Sequence, residues 1–188
     1  MNIVTLLNQI DSNDIVLPAI QRDFVWSEDK ISKLLDSIMR GYPVGIVLVW
    51  ETYKDIQYRQ FEKVYLNGTR PAFLDNSSNK KLKLVLDGQQ RLQALYLALY
   101  GSYKGKYLYF DVLSGRISDD FEEDKFYFYF ATPEQSEEWN KEAEDNRSPD
   151  SDNDDNIEYY STVSDLFKLD VSAKQKYRKQ ITKKLKLT

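Results

Sequence analysis

The residues Asp87-Gly88-Gln89-Gln90-Arg91 place a carboxylate, a glycine, two primary amides and a guanidinium at five consecutive positions. A strand-like run, Leu82 to Leu86, precedes them, and apolar residues at helical spacing follow. The strand delivers Asp87 at its carboxyl end, and Gly88 permits a sharp turn and a close backbone approach. The helix starting there aims its free N–H groups and positive dipole end at one spot, which favours an anion. Arg91 adds a planar cationic fork suited to phosphate. Gln89 or Gln90 can hold a phosphate oxygen or position a water. Asp87 can hold Mg²⁺ directly or through water, because that cation needs few carboxylates and keeps its own waters. A capped helix with an arginine salt bridge accounts for the same residues with no ligand at all.

A second cluster, Gln21-Arg22-Asp23-Phe24-Val25-Trp26, follows Pro18 and precedes another helix start. Arg22 supplies a further guanidinium there, and Gln21 a further amide. Phe24 and Trp26 offer flat faces to a nucleobase, or simply fill the core. A third stretch, Arg40-Gly41-Tyr42-Pro43-Val44-Gly45, reads most simply as a helix-to-strand turn, with Gly45 able to bring backbone close to a ligand.

The elements that position these clusters are legible from periodicity. Asn2 to Ile10 carries an apolar side of Ile3, Leu6, Leu7 and Ile10. Ile15 to Leu17 is extended and ends at Pro18. Ser27 is an N-cap, with Glu28 and Asp29 in the first turn of a helix whose apolar face is Ile31, Leu34, Leu35, Ile38, Met39 and Tyr42. Gly41 and Pro43 stop it. Val44 to Trp50 predicts a buried strand. Tyr53 to Lys81, with a turn at Asn67-Gly68, is mixed and fits a hairpin or an irregular insertion. A helix is expected from Gln89 to Tyr100, buried on more than one side. Tyr107 to Leu113 and Phe126 to Phe130 predict strands. Pro133 onward is acidic, and Asn146 to Asn156 has no apolar residue, so a mobile loop is expected there. Ser172 to Thr188 is lysine-rich with helical spacing and reaches the last residue without a stop signal, which reads as a chain that continues.

Composition removes several chemistries. With no cysteine and no histidine among 188 residues, disulfides, Cys/His zinc sites, cysteine nucleophiles, histidine general bases and histidine-dependent nucleases of the HNH type are excluded within this sequence. Net charge is −4, so no global attraction to nucleic acid exists, although the lysines from Lys174 to Lys186 could form a local DNA-binding face or only a solvated one. The acidic stretch from Glu134 to Asp155 lacks the glycine and closing glutamate of a calcium loop. No apolar segment suits a signal peptide or a membrane span, and a soluble, cytoplasmic protein is expected.

Three segments, Leu17 to Trp26, Leu34 to Gly45 and Leu84 to Leu92, occur in the order found in the GmrSD restriction-endonuclease N-terminal domain family, the GmrS type, which this chain resembles. The likeness is dense over residues 1 to about 113. It implies an α+β fold similar to ParB and sulfiredoxin, a small mixed sheet with packed helices, over residues 1–132. An acidic mobile loop (133–158) and a helical C-terminal extension (159–188) would follow. It further implies a nucleoside triphosphatase dependent on Mg²⁺ or another divalent cation in a modification-dependent anti-phage restriction system, regulating a histidine-containing HNH-type nuclease domain or subunit. A non-catalytic module binding nucleotide or DNA phosphate is the alternative. DNA would be met through the full system, no membrane is involved, and homo-oligomerisation is left open. On this reading Asp87 anchors the metal, Gln89 or Gln90 orients water, Arg91 and Arg22 clamp phosphates with Gly88 between, and Gln21 and Trp26 complete the wall. Gln93-Ala94 departs from the pattern, standing where many members carry two small hydroxyl residues.

Overall fold

The computed structural model describes residues 3–66, 71–77, 80–112, 114, 126–145 and 160–168. The Asn67-Gly68 turn, the stretch from Asn146 to Asn156 and the lysine-rich Ser172 to Thr188 lie outside these residues. The chain divides into two units, Met1–Gly105 and Lys106–Thr188. In the second unit the two strands that precede residue 132 form a sheet with a later strand.

In the first unit the elements run α1 (Ile3–Asp11), β1 (Ile15–Pro18), α2 (Glu28–Met39), β2 (Leu48–Thr52), β3 (Gln57–Arg59), β4 (Val64–Tyr65), β5 (Leu74–Asp75), β6 (Leu82–Asp87), α3 (Gln89–Tyr100) and β7 (Ser102–Tyr103). Five strands form one mixed sheet in the order β2-β6-β1-β3-β5. Strand β6 lies inside it, parallel to β1 and antiparallel to β2. The region from Tyr53 to Lys81 supplies β3 and β5 to this sheet, while β4 pairs in parallel with β7. Helix α3 packs against α1 and α2. Leu7 and Ile10 of α1, Ile31 of α2 and Leu92 and Leu97 of α3 are essentially sealed from water. Each such side chain contributes about 1.5–3 kcal/mol of burial.

Helix α2 begins as its sequence requires: the Ser27 hydroxyl accepts from the Lys30 N–H at 3.4 Å. It ends in a Schellman turn, with Gly41 at φ +73° donating to Ile38 O and Tyr42 N–H donating to Ser37 O. The expected stripe is therefore not buried to its end: Met39, in the last helical turn, and Tyr42, beyond the reversal, are both about half exposed. The expected buried strand from Val44 to Trp50 is a further correction. Strand β2 begins only at Leu48, lies at the sheet margin, and leaves Leu48 and Trp50 exposed, as is Ile46 ahead of it. The earlier residues cannot join a ladder, since Gly45 turns at φ +89° and the carbonyls of Val44 and Ile46 are engaged by Arg91.

The second unit holds β8 (Tyr107–Asp111), β9 (Phe128–Ala131), α4 (Pro133–Asp145), β10 (Tyr160–Thr162) and α5 (Val163–Lys168). Its antiparallel sheet has the order β10-β8-β9. Helix α4 occupies residues expected in the mobile acidic loop. A reciprocal cap starts it: the Gln135 side chain accepts from Thr132 N–H at 3.0 Å, and the Thr132 hydroxyl accepts from Gln135 N–H at 3.4 Å. Pro133 sits at the first helical position, where no N–H is needed. Residues 160–162, expected within a helical extension, are instead paired with β8. Among the described residues no helix is long and apolar enough to cross a membrane.

Gly101 links α3 to β7 where the chain passes against Lys63, and a Cβ there would fall inside the Lys63 carbonyl. The backbone of Ser102 donates to that same carbonyl at 3.0 Å. Gly101→Ala should cost about 1–3 kcal/mol, read as a lower urea midpoint at unchanged slope.

Candidate functional site

The turn between β6 and α3 is built on Gly88, the N-cap of α3, at φ +86°. A Cβ there would press on Val47 Cγ2 at 3.1 Å and on the Ile46 carbonyl at 3.2 Å, so only glycine fits without strain. The loop ahead of β2 thus closes over the helix start. Arg91 fixes it, donating from Nη1 to Val44 O at 2.5 Å and from Nη2 to Ile46 O at 2.6 Å. Gly45 lies over the guanidinium, where a Cβ would overlap Nη1. The Asp87 carboxylate, 68% exposed, stands 3.7 Å from Arg91 Nη2. This is a loose pairing, and it leaves the carboxylate open to solvent.

On the other side of the helix start lies the Gln21–Trp26 loop. Gln21 Nε2 donates to the Leu86 carbonyl at 3.1 Å, pinning that loop to the end of β6. Gln90 holds it more firmly: Oε1 accepts from Val25 N–H and Nε2 donates to Asp23 O, both at 3.0 Å. The amide of Gln90 is therefore occupied by backbone, and Gln89 is the amide left to meet a ligand. Gln93 repeats the device one turn later on Glu62, whose N–H and carbonyl it engages at 2.9 and 2.6 Å.

Arg59 enters this site without having been picked out in the sequence. It is buried at the end of β3, donating from Nη1 to Asp23 Oδ1 at 2.6 Å and from Nη2 to the Gln21 carbonyl. Arg22, Asp23, Arg59, Glu62, Gln89 and Gln93 are among the residues lining a small cavity of about 10 Å³, which is near the least volume that accepts a water. Among the described residues two buried polar atoms, Arg59 Nε and Gln89 Oε1, have no hydrogen-bond partner. One is a donor and the other an acceptor, and both belong to residues of this cavity.

The expected residues therefore fall into two groups. Arg22, Gln89 and Gln90 line the cavity, whereas Arg91 belongs to the loop over Gly88 and does not line it. Two guanidinium groups do meet around the cavity, but the second is Arg59. No signal in the sequence distinguished Arg59, a single cation in a three-residue strand. Phe24 is a core residue, with its ring edge-on to Tyr65 at 5.3 Å. Trp26 is half-buried, with Lys30 Nζ 4.6 Å from its ring centre and its carbonyl accepting from the Tyr103 hydroxyl. Among the described residues no group of three or more acidic side chains could cage a metal ion. One exposed carboxylate nevertheless fits Mg²⁺, which commonly takes one or two carboxylates and completes its shell with phosphate and water.

The chain belongs to the GmrSD restriction endonuclease N-terminal domain family, which it matches over residues 3–188. It is also 28% identical, over 131 residues, to an uncharacterized protein of Methanocaldococcus jannaschii. That match covers 66% of this chain and only 22% of the relative's length.

Burial pushes the Glu62 carboxyl above the usual range; Arg59 opposes the shift and Asp23 adds to it. The folded state thus holds this proton more tightly than the unfolded chain. Its stabilising contribution is full below the unfolded value, about 4.3, and is lost as pH rises through the raised one. Glu62→Gln should remove this component. In urea unfolding, the variant should gain on the parent protein as pH climbs from about 4 to about 7. Parallel stability curves would contradict the assignment.

Proposed function

We propose that this domain binds a nucleoside triphosphate at the start of α3, and hydrolyses it, within a DNA-restriction system. The observation that carries the reading is the cavity itself. Arg22, Arg59 and Gln89 converge there, and a buried donor and a buried acceptor remain unmatched. The strand–glycine–helix handover in a small mixed sheet supports the ParB/sulfiredoxin-like assignment, in which a related turn serves phosphate.

The cavity is too small for a nucleotide, which lies at its mouth. There the exposed Arg22 and the first N–H groups of α3 meet the phosphates. Asp87 would hold a Mg²⁺ ion brought with the nucleotide, which would supply neutralisation of phosphate charge. Gln89 Oε1 accepts a hydrogen bond from the attacking water and orients it, and Arg59 Nε–H donates a hydrogen bond to the water oxygen. The water oxygen bonds to the terminal phosphorus as the bridging P–O bond breaks. Water's proton leaves to solvent or to phosphate oxygen. Arg91 keeps the Val44–Ile46 loop closed over Gly88 and acts as a positioning residue. The output is regulation of a histidine-containing nuclease domain or subunit, and the setting is the cytoplasm.

A second reading, binding without turnover, is favoured by Gln93. Its buried amide is committed to Glu62 where many family members carry small hydroxyl residues. Calorimetry with nucleoside triphosphates and Mg²⁺, followed by phosphate release, separates the two. Arg22→Ala should weaken binding by about ten- to a hundredfold, the loss of one charge-assisted contact. Asp87→Ala should lower turnover more than binding. Tight binding with no phosphate released selects the second reading. A folded protein that binds no triphosphate refutes both.

A further inference from the structure

The second unit contains a cleft that nucleotide binding does not use. Tyr129 of β9, Trp139, Glu142 and Ala143 of α4, and Tyr160 of β10 line a space of about 260 Å³. That is several times the volume of a water molecule, about 30 Å³. Three rings form its walls. Their centroids are 5.4 Å (Trp139–Tyr160), 5.8 Å (Tyr129–Trp139) and 6.3 Å (Tyr129–Tyr160) apart. Their planes meet at 59°, 69° and 65°, so none stacks flat on another. A slot for a flat base needs near-parallel walls. Walls that are mutually tilted surround a rounded group instead.

The fold holds the rings in place. Asn140, beside Trp139, brackets the Tyr160 backbone: Oδ1 accepts its N–H at 2.9 Å and Nδ2 donates to its carbonyl at 3.2 Å. Tyr160 pairs with Asp111 across the sheet, and Tyr129 pairs with Tyr109 in the same β8 strand. Tyr129 and Tyr160 therefore project from one sheet face, two strands apart, with α4 over them. Carboxylates set the sign of the local field. Burial, and then the charges of Asp111 and Glu142, push the Tyr160 hydroxyl above its ordinary range. Glu142 lies one turn along α4 from Trp139 and lines the cleft. Electron-rich ring faces and a rim carboxylate attract a weakly hydrated cation.

We propose that this cleft is an aromatic cage for an alkylated ammonium group, with Trp139, Tyr129 and Tyr160 as its walls and Glu142 as the counter-charge. The group arrives either on a free small molecule or on a methylated lysine side chain. Its methyl groups meet the rings, and its charge faces the ring quadrupoles and Glu142.

The full chain would be titrated at constant ionic strength with choline and with the uncharged alcohol in which tert-butyl replaces trimethylammonium. The Trp139 indole N–H resonance is the readout. Choline should saturate the shift and bind roughly three- to thirtyfold more tightly than the alcohol. Equal binding of the two would overturn the proposal, whatever any variant does. Glu142→Gln should weaken choline severalfold while the alcohol is unaffected. Trp139→Phe should weaken binding, and Trp139→Ala should abolish it, followed calorimetrically. Undiminished binding by a folded Trp139→Ala protein would also overturn the proposal. If that variant does not fold, Glu142→Gln and Trp139→Phe decide. Peptides carrying lysine or trimethyllysine identify the source. Tighter binding of the trimethylated peptide than of choline assigns a protein-borne group, and the reverse assigns a small molecule. Failure of both to saturate refutes the cage.

Discussion

A primary amide buried on a helix must find a donor and an acceptor, or it costs more than it contributes. Gln90 finds both on the Asp23–Val25 backbone, and Gln93 finds both on Glu62. Helix α3 thereby dictates the path of two loops that have little regular structure of their own. The sheet holds β6, β6 aims Gly88, and the amides of the next turns bring the loops to it. Arg91 does the same for a third loop through Val44 and Ile46. Cation and amide side chains here act as scaffolding for backbone, and among the described residues Gln89 Oε1 and Arg59 Nε are the buried side-chain atoms left unmatched.

This division of labour explains what the sequence could and could not reveal. Helices α1, α2 and α3 were legible because their periodicity, the Ser27 cap and the Gly88 and Gly41 turns all agree. Strand β6 was legible for the same reason. Strand β2 was misread because an apolar run carries no information about whether a neighbour covers it. Its first residues are held by Arg91, a long-range contact that no local pattern encodes. Helix α4 was missed although Thr132-Pro133-Glu134-Gln135 is a complete start signal. Acidic composition outweighed a cap that should have decided the matter. Arg59 could not have been found, since its meaning depends on strand order.

Membership in the GmrSD N-terminal family rests on the length of the match, and the site rests on geometry. The two meet at the β6–α3 turn but do not coincide throughout. The family resemblance draws attention to Arg91 and Arg22, while the cavity keeps Arg22 and adds Arg59. Gln93, where the resemblance leads one to expect a small hydroxyl residue, is in this structure a loop clamp. Such a change can preserve the shape of a ligand site while altering what happens to the ligand.

The margin of the sheet has a consequence for life at high concentration. Among the described residues β2 has no strand partner on its outer side, and Leu48 and Trp50 are exposed, a combination that invites a strand from another molecule to add on. Two features work against this. The register slips between Leu48 and Val49, which breaks the flat template. Glu51, paired with Lys81 at 2.8 Å, sets charge beside the same edge. Intermolecular β-addition that buried this pair would carry the cost of desolvating two charges, a penalty written into the edge itself.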